Sequence, residues 1–104
     1  MSIEVEYTGQ TARVLLSGEL TIYSVAEIKA GLAEVMNSAD QIDVDLSGVT
    51  EMDTAGLQLM LIAKRNPGKQ VVFSKHTAAV LRLIDLASLG HALGDQMVLD
   101  ATPA

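Results

Sequence analysis

The chain has 104 residues, a formal net charge of −6 and no cysteine, and it is rich in aliphatic residues, with one Phe, two Tyr and no Trp. This length suits one domain with its own core. The negative charge and the few aromatic side chains exclude a basic or base-stacking nucleic-acid surface, and the lack of cysteine excludes disulfides, a thiol nucleophile and the usual zinc clusters.

The apolar runs of the sequence are too short to cross a bilayer. No charged segment followed by an apolar run opens the chain, as a signal peptide would. We therefore expect a cytoplasmic protein with no direct membrane insertion. No Gly-rich loop of the P-loop or dinucleotide type is present, and we expect neither a cofactor nor a metal.

Two strands are predicted at the beginning of the chain. Residues 3–7 alternate apolar and acidic residues, which is the period of a half-buried strand. Residues 12–16 form the second strand. The turn between them contains Gly9 at a position suited to a positive φ, so the two strands should be antiparallel. Residues 18–23 are predicted to be a loop.

The first helix is predicted to begin after Ser24 and to end within residues 37–40. Ser24 and Glu27 have the spacing of a capping box, in which each side chain binds the other residue's backbone amide. Apolar residues follow at helical spacing and should face the core; they are Val25, Ile28, Leu32, Val35 and Met36.

The third strand is predicted at residues 42–46, where apolar residues alternate with Asp43 and Asp45. A strand covered on both faces would instead be continuously apolar. The alternation therefore predicts that helices cover one face of the sheet. It also makes a solvated polar face a better explanation of the two carboxylates than a catalytic pair.

The rest of the chain continues the alternation of helices and strands. A second helix from residue 55 to 64 or 65 should end at Asn66-Pro67-Gly68. A strand at 70–73 and a helix at 78–88, capped by Thr77, follow. Residues 96–99 suggest a short fifth strand, and 100–104 a frayed tail.

The predicted fold class is therefore α/β, a single domain over residues 1–104. The order β-β-α-β-α-β-α-(β) gives a mixed sheet of four to five strands with the helices packed on one face. Right-handed crossovers would bring the loops at 18–23, 47–54 and 74–76 to one edge of the sheet. Open α/β sheets place functional surfaces at this edge, beyond the carboxyl ends of their strands.

Asp53-Thr54-Ala55-Gly56 is the most informative segment, because it lies where the third strand leads into the second helix. The free amides and the positive end of a helix dipole favour an anion there, so Thr54 is well placed to carry a phosphate. The simpler alternative is that Asp53 or Thr54 only caps the helix.

Nothing in the sequence favours an enzyme, because catalysis needs a base within reach of a nucleophile or acid. His76 is expected to be a polar loop residue and His91 to be exposed. Lys75 could offset phosphate charge, although a plain surface lysine is the simpler account. The five scattered methionines are typical of core filling.

Several segments resemble the STAS domain, the sulfate-transporter and anti-sigma-factor-antagonist family, which implies the STAS fold. They are Leu16-Ser17-Gly18-Glu19-Leu20, the strand at 42–46, the turn Asp45-Leu46-Ser47-Gly48-Val49, Met52-Asp53-Thr54-Ala55-Gly56-Leu57, and the helix end at 82–89. The resemblance spans residues 3–99.

The resemblance implies an anti-sigma factor antagonist that switches partners. Thr54 would be phosphorylated by an anti-sigma factor that is also a serine/threonine kinase, and a phosphatase would reverse this. The unphosphorylated form would bind the kinase and release a sigma factor. The implied partner-binding residues are Glu19, Leu20, Thr21, Asp53, Thr54, Ala55, Gly56 and Leu57.

Two positions depart from this pattern. Thr21 stands where antagonists usually have Asp, and Thr54 where they more often have Ser. Asp-Thr-Ala-Gly also resembles the STAS subunit of the lipid-asymmetry ABC transporter, which docks on an ATPase. That subunit is the alternative function, and chemotaxis-like and biofilm kinase pathways also remain open.

Overall fold

A computed structural model describes residues 1–87 as four strands and three helices. The strands are β1 (Ser2–Thr8), β2 (Thr11–Leu20), β3 (Gln41–Met52) and β4 (Gln70–Ser74), and the helices are α1 (Val25–Ser38), α2 (Thr54–Lys64) and α3 (Ala78–Ala87). The predicted order of elements is confirmed over this range. The predicted strand at 96–99, the tail at 100–104 and His91 lie outside the described residues.

The sheet is mixed and has the order β1-β2-β3-β4. β1 runs antiparallel to β2, whereas β2, β3 and β4 run parallel to one another. Gly9 adopts the predicted positive φ, of 61°, in the turn that joins the first two strands. The parallel strands consequently end at one edge of the sheet, and each is followed by a helix.

The core lies between one face of the sheet and the helices. Alternate residues of β2 and β3 are buried, and the residues between them, such as Arg13 and Asp43, face the other side. Four residues of the predicted stripe on α1 are buried, and they are Ile28, Leu32, Val35 and Met36. The prediction that helices cover one face of the sheet is confirmed.

β2 and β3 extend farther than predicted, because residues 18–20 and 47–52 continue the strands instead of forming loops. The pairing between the two strands shifts twice, and each time β3 carries one extra residue. Such bulges disrupt the alternation of side chains along a strand. A Cβ on Gly48 would lie 2.5 Å from Ser17 Oγ, so glycine allows β3 to approach β2 there.

The capping box predicted at Ser24 is wrong, although Ser24 does precede α1. Its hydroxyl donates to the Glu19 carbonyl at 2.8 Å and accepts from the Thr21 amide at 3.1 Å. The hydroxyl therefore folds the loop before the helix. The predicted Thr77 cap is present on α3, where the Val80 amide donates to Thr77 Oγ1 at 3.5 Å.

Candidate functional site

The candidate site lies where the carboxyl ends of β2 and β3 meet the beginning of α2. Leu20 and Met52, the last residues of the two strands, pair with each other. The amide of Asp53 donates to the Leu20 carbonyl at 3.3 Å. These contacts join the end of β2, the loop at 21–24 and the first turn of α2 into one surface, which we call the α2 edge.

Asp53 caps α2 and also binds the loop that follows β2. Its Oδ1 accepts from the Gly56 amide at 3.2 Å, which is the bond expected of an N-cap. Its Oδ2 accepts from the Ile22 amide at 2.9 Å, across 31 positions of sequence. One carboxylate therefore connects the helix to the loop.

These bonds stabilise the charged form of Asp53. The Ile22 amide contributes most and lowers the pKa of the carboxyl; partial burial opposes this, and the amides of the first turn of α2 lower the pKa further. The net result is a pKa below the ordinary value of 3.8. Asp53 is therefore ionised at neutral pH and complements the positive end of the helix dipole.

Thr54 is the first residue of α2 and is exposed. Of the two residues that could cap the helix, Asp53 does so. Thr54 is therefore present at the helix N-terminus without being the cap, and its hydroxyl lies on the molecular surface beside an ionised carboxylate.

Gly56 allows α2 to begin directly against the end of β2. It is buried, and a Cβ there would lie 2.5 Å from the Leu20 carbonyl oxygen and 2.9 Å from Met52 Cγ. Real Cβ atoms essentially never approach that closely. The glycine therefore fixes how close the first turn of α2, and Thr54 with it, lies to the sheet.

The predicted partner-binding residues divide into two groups by exposure. Glu19 and Thr54 are exposed, and Thr21, Asp53 and Ala55 are half-buried, so these five belong to the α2 edge. Leu20, Gly56 and Leu57 are buried beneath it. These three residues are packed under the edge and offer a partner no surface in this conformation.

Ile22 and Tyr23 also belong to the α2 edge; they lie in the loop at 18–23 that the sequence placed at the functional edge, although neither was among the predicted partner-binding residues. Their side chains are 62% and 97% exposed. The Ile22 amide is the group that Asp53 binds. Two large apolar residues side by side in a predicted loop are the sequence signal by which Ile22 and Tyr23 could have been selected.

α3 adds a second wall to the site. A shallow groove runs between the end of β3 and α3, with Glu51, Met52 and Asp53 on one side and Arg82 and Leu83 on the other. The predicted third loop, residues 74–76, leads into this helix. Within that loop Lys75 pairs with Asp45 at 3.4 Å, so its charge is directed to the open face of the sheet.

Asp43 and Asp45 have local partners instead of a shared one. Asp43 accepts from Gln41 Nε2 at 2.7 Å, and Asp45 accepts from the Ser47 amide at 2.8 Å. Burial would raise the pKa of Asp45, but the Ser47 hydroxyl and amide together with Lys75 lower it below the ordinary value. The geometry is that of a polar sheet face, as the alternation predicted.

The described residues were also compared with what a metal site and a membrane-spanning helix require. Within residues 1–87, no three His, Asp or Glu side chains are grouped as a metal site would require. His76 is half-buried next to α3. Over the same range, none of the helices combines the length and the apolar character needed to cross a bilayer.

Solved structures share this fold at low sequence identity. An anti-sigma factor antagonist from Mycobacterium paratuberculosis is 22% identical with a TM-score of 0.78, covering 95% of this chain and 87% of that one. SpoIIAA, an anti-sigma factor antagonist, is 20% identical in its unphosphorylated form with a TM-score of 0.71, covering 96% and 92%. The phosphorylated form of SpoIIAA, a Bacillus cell fate determinant, is 19% identical with a TM-score of 0.67, covering 95% and 97%.

Sequence comparisons give the family. No curated protein matches the chain. A family model described as "Mlab, STAS domain" matches residues 3–99, which is nearly the whole chain. The match covers the strands, the helices and the α2 edge, and it confirms the resemblance that the motifs suggested. The chain belongs to the STAS domain family.

Proposed function

We propose that this domain is a protein-interaction module of the anti-sigma factor antagonist type, with no catalysis of its own. In its unphosphorylated form it binds an anti-sigma factor that is also a serine/threonine kinase. Phosphorylation of Thr54 ends binding and a phosphatase restores it. The observation that carries this proposal is that Thr54 is exposed at the first position of α2. Asp53 supplies the N-cap of that helix, so the Thr54 hydroxyl is not used for capping.

The surroundings of Thr54 support a partner-binding surface. Interfaces are typically built around a few large side chains, often aromatic, which supply most of the binding energy. Ile22 and Tyr23 are of this kind and are largely exposed. They lie in the loop that Asp53 holds against α2. A protein bound to them would lie close to Thr54, and a phosphate there would have to be desolvated beside Asp53 and Glu51.

Mapping the phosphorylated residue tests the first half of the proposal. Protein isolated from its native cells, or treated with its cognate kinase, should carry phosphate on Thr54. Ser24 is a poor acceptor because it is half-buried and its hydroxyl is bonded within the loop. Ser47, whose hydroxyl binds Asp45, is exposed and serves as the comparison. Phosphate found on Ser24 or Ser47 and never on Thr54 would contradict the proposal.

The second candidate function is an accessory subunit that docks on the ATPase of a lipid-transport ABC complex. Two observations favour it. The matching family model is described as "Mlab, STAS domain", and Asp53-Thr54-Ala55-Gly56 resembles the version of the motif in that transporter subunit. Thr54 would then contribute to docking directly and would not need to be phosphorylated.

Thr54→Ala distinguishes the two candidates, because its expected effects are opposite. In a switch the variant cannot be turned off, so a pull-down should recover the kinase partner under all conditions. In a transporter subunit the variant should bind the ATPase more weakly. Thr8→Ala, at the exposed last residue of β1 on the opposite edge of the sheet, is the matched control and should behave like the wild type in both assays.

A further inference from the structure

We propose that Asp53 is a positioning residue through which a charge on Thr54 changes the loop at 21–24. The two oxygens of its carboxylate hold two different elements, Gly56 of α2 and Ile22 of the loop. A phosphate on the next residue would compete for the amides of the first turn and repel the carboxylate. The inference relies on the proposed function only for the identity of the modified residue.

The first step is that one backbone amide of the loop, that of Ile22, is held by the Asp53 side chain. Residues 21–24 have their own hydrogen bonds, since Ser24 Oγ binds Glu19 and Thr21 and the Tyr23 amide donates to Thr21 Oγ1 at 3.3 Å. The Ile22 amide is bound instead by Asp53. Loss of that bond should therefore free Ile22 and its neighbour Tyr23 from α2, while the hydrogen bonds within the loop remain.

The second step is that the first turn of α2 is packed tightly against the end of β2, whereas the Asp53 side chain can rotate. Gly56 is packed against the Leu20 carbonyl so closely that no Cβ would fit between them. The adjustable group is the Asp53 side chain. A phosphate carries about −1.5 to −2 charges at neutral pH, and it is stabilised by the same amides that now bind the carboxylate.

The third step concerns what the loop presents. The side chains of Ile22 and Tyr23 are the large apolar groups exposed at the α2 edge. When the Asp53–Ile22 bond is intact, their backbone is fixed relative to Thr54. When it breaks, a partner would have to order them again at the cost of conformational entropy. Modification would thus weaken binding at residues that the phosphate itself does not touch.

The test uses NMR of the isolated chain and needs neither a partner nor a kinase. Thr54→Glu supplies a negative charge, and Thr54→Gln supplies the same shape without it. Gln58→Glu places the same charge on an exposed position one turn farther along α2. We expect hydrogen exchange at the Ile22 amide to be at least about tenfold faster in T54E than in T54Q, with Q58E like the wild type.

A second variant shows whether Asp53 transmits the effect. Asn is as good an N-cap as Asp, so Asp53→Asn should fold, but it is neutral and has one side-chain oxygen where Asp53 uses two. D53N alone should speed exchange at Ile22, and T54E should add little in the D53N background. Equal exchange at Ile22 in T54E and T54Q, or an undiminished effect of T54E in D53N, would overturn the inference. Failure of partner binding would leave these NMR results unaffected, so the two proposals fail separately.

Discussion

The roles of Asp53 and Thr54 are distinct although the residues are adjacent. Asp53 caps α2 and holds Ile22, whereas Thr54 is exposed and is not the cap. The sequence could place both at a helix N-terminus, because the acid and the hydroxyl precede an apolar helical run. It could not say which one caps, and the bond to Ile22, 31 residues away, leaves no trace in local spacing.

These roles predict different effects on stability. Asp53→Ala should lower the free energy of unfolding by about 0.5–2 kcal/mol, because it removes the cap, and it also frees the Ile22 amide. Thr54→Ala should change it by less than about 0.5 kcal/mol, as is usual for an exposed residue without a structural role. Urea denaturation measures both. A loss in T54A as large as in D53A would mean that Thr54 contributes to the cap after all.

The lowered pKa values of Asp53 and Asp45 predict how stability depends on pH. A carboxyl whose pKa is lower in the folded than in the unfolded state stabilises the fold above its unfolded pKa. That contribution is lost as the pH falls through the folded pKa. Stability should therefore decrease on acidification below the ordinary value of 3.8. Denaturation across pH 7 to 2 should show that the free energy of unfolding falls less steeply with acid in D53N and in D45N than in the wild type. Equal slopes would contradict the hydrogen bonds of the two carboxylates.

At the level of elements, the spacing of apolar residues explains which helices and strands could be predicted from the sequence. The four buried residues of α1 and the alternation at 42–46 identified a helix and a strand correctly. The sequence predicts a loop at residues 47–52, which are instead part of β3, because the bulges interrupt the alternation there. Ser24 was misassigned for a different reason: its hydroxyl has a better partner in Glu19, which is close only after β2 has been extended.

Gly56→Ala tests whether the start of α2 must lie directly on β2. The added methyl group would overlap the Leu20 carbonyl, so α2 would have to move outward, at a cost of about 1–3 kcal/mol. Gly31→Ala is the matched control, since this helical glycine faces only the end of the Ile3 side chain. There the gain in helix propensity, up to about 1 kcal/mol, should offset a small adjustment. Denaturant unfolding of both variants gives the comparison, and equal stability of G56A and wild type would exclude the tight contact.

At the scale of the whole molecule, the fold has two parts. The frame is the sheet with its buried core, and the surface is the α2 edge. The parallel strands carry the α2 edge at their carboxyl ends, and the core under it is aliphatic and fully buried. A charge added at Thr54 lies on the surface of this frame. We expect it to change the loop at 21–24 through Asp53 and to leave the packing of the buried core intact.

The last prediction follows from this separation of frame and surface. Under the proposed function, Thr54→Glu, or phosphorylated protein, should bind the kinase partner at least tenfold more weakly, equivalent to about 1.4 kcal/mol. Its melting temperature should stay within a few degrees of the wild type, since about 1 kcal/mol shifts a domain of this size by about 4–8 °C. Calorimetric titration and thermal unfolding measure the two quantities, with Gln58→Glu as the control for added charge. Backbone NMR shifts should change around Thr54 and at residues 21–24. Shifts spread across the sheet, or a melting temperature that falls together with the affinity, would mean that the charge unfolds the domain instead of blocking its surface.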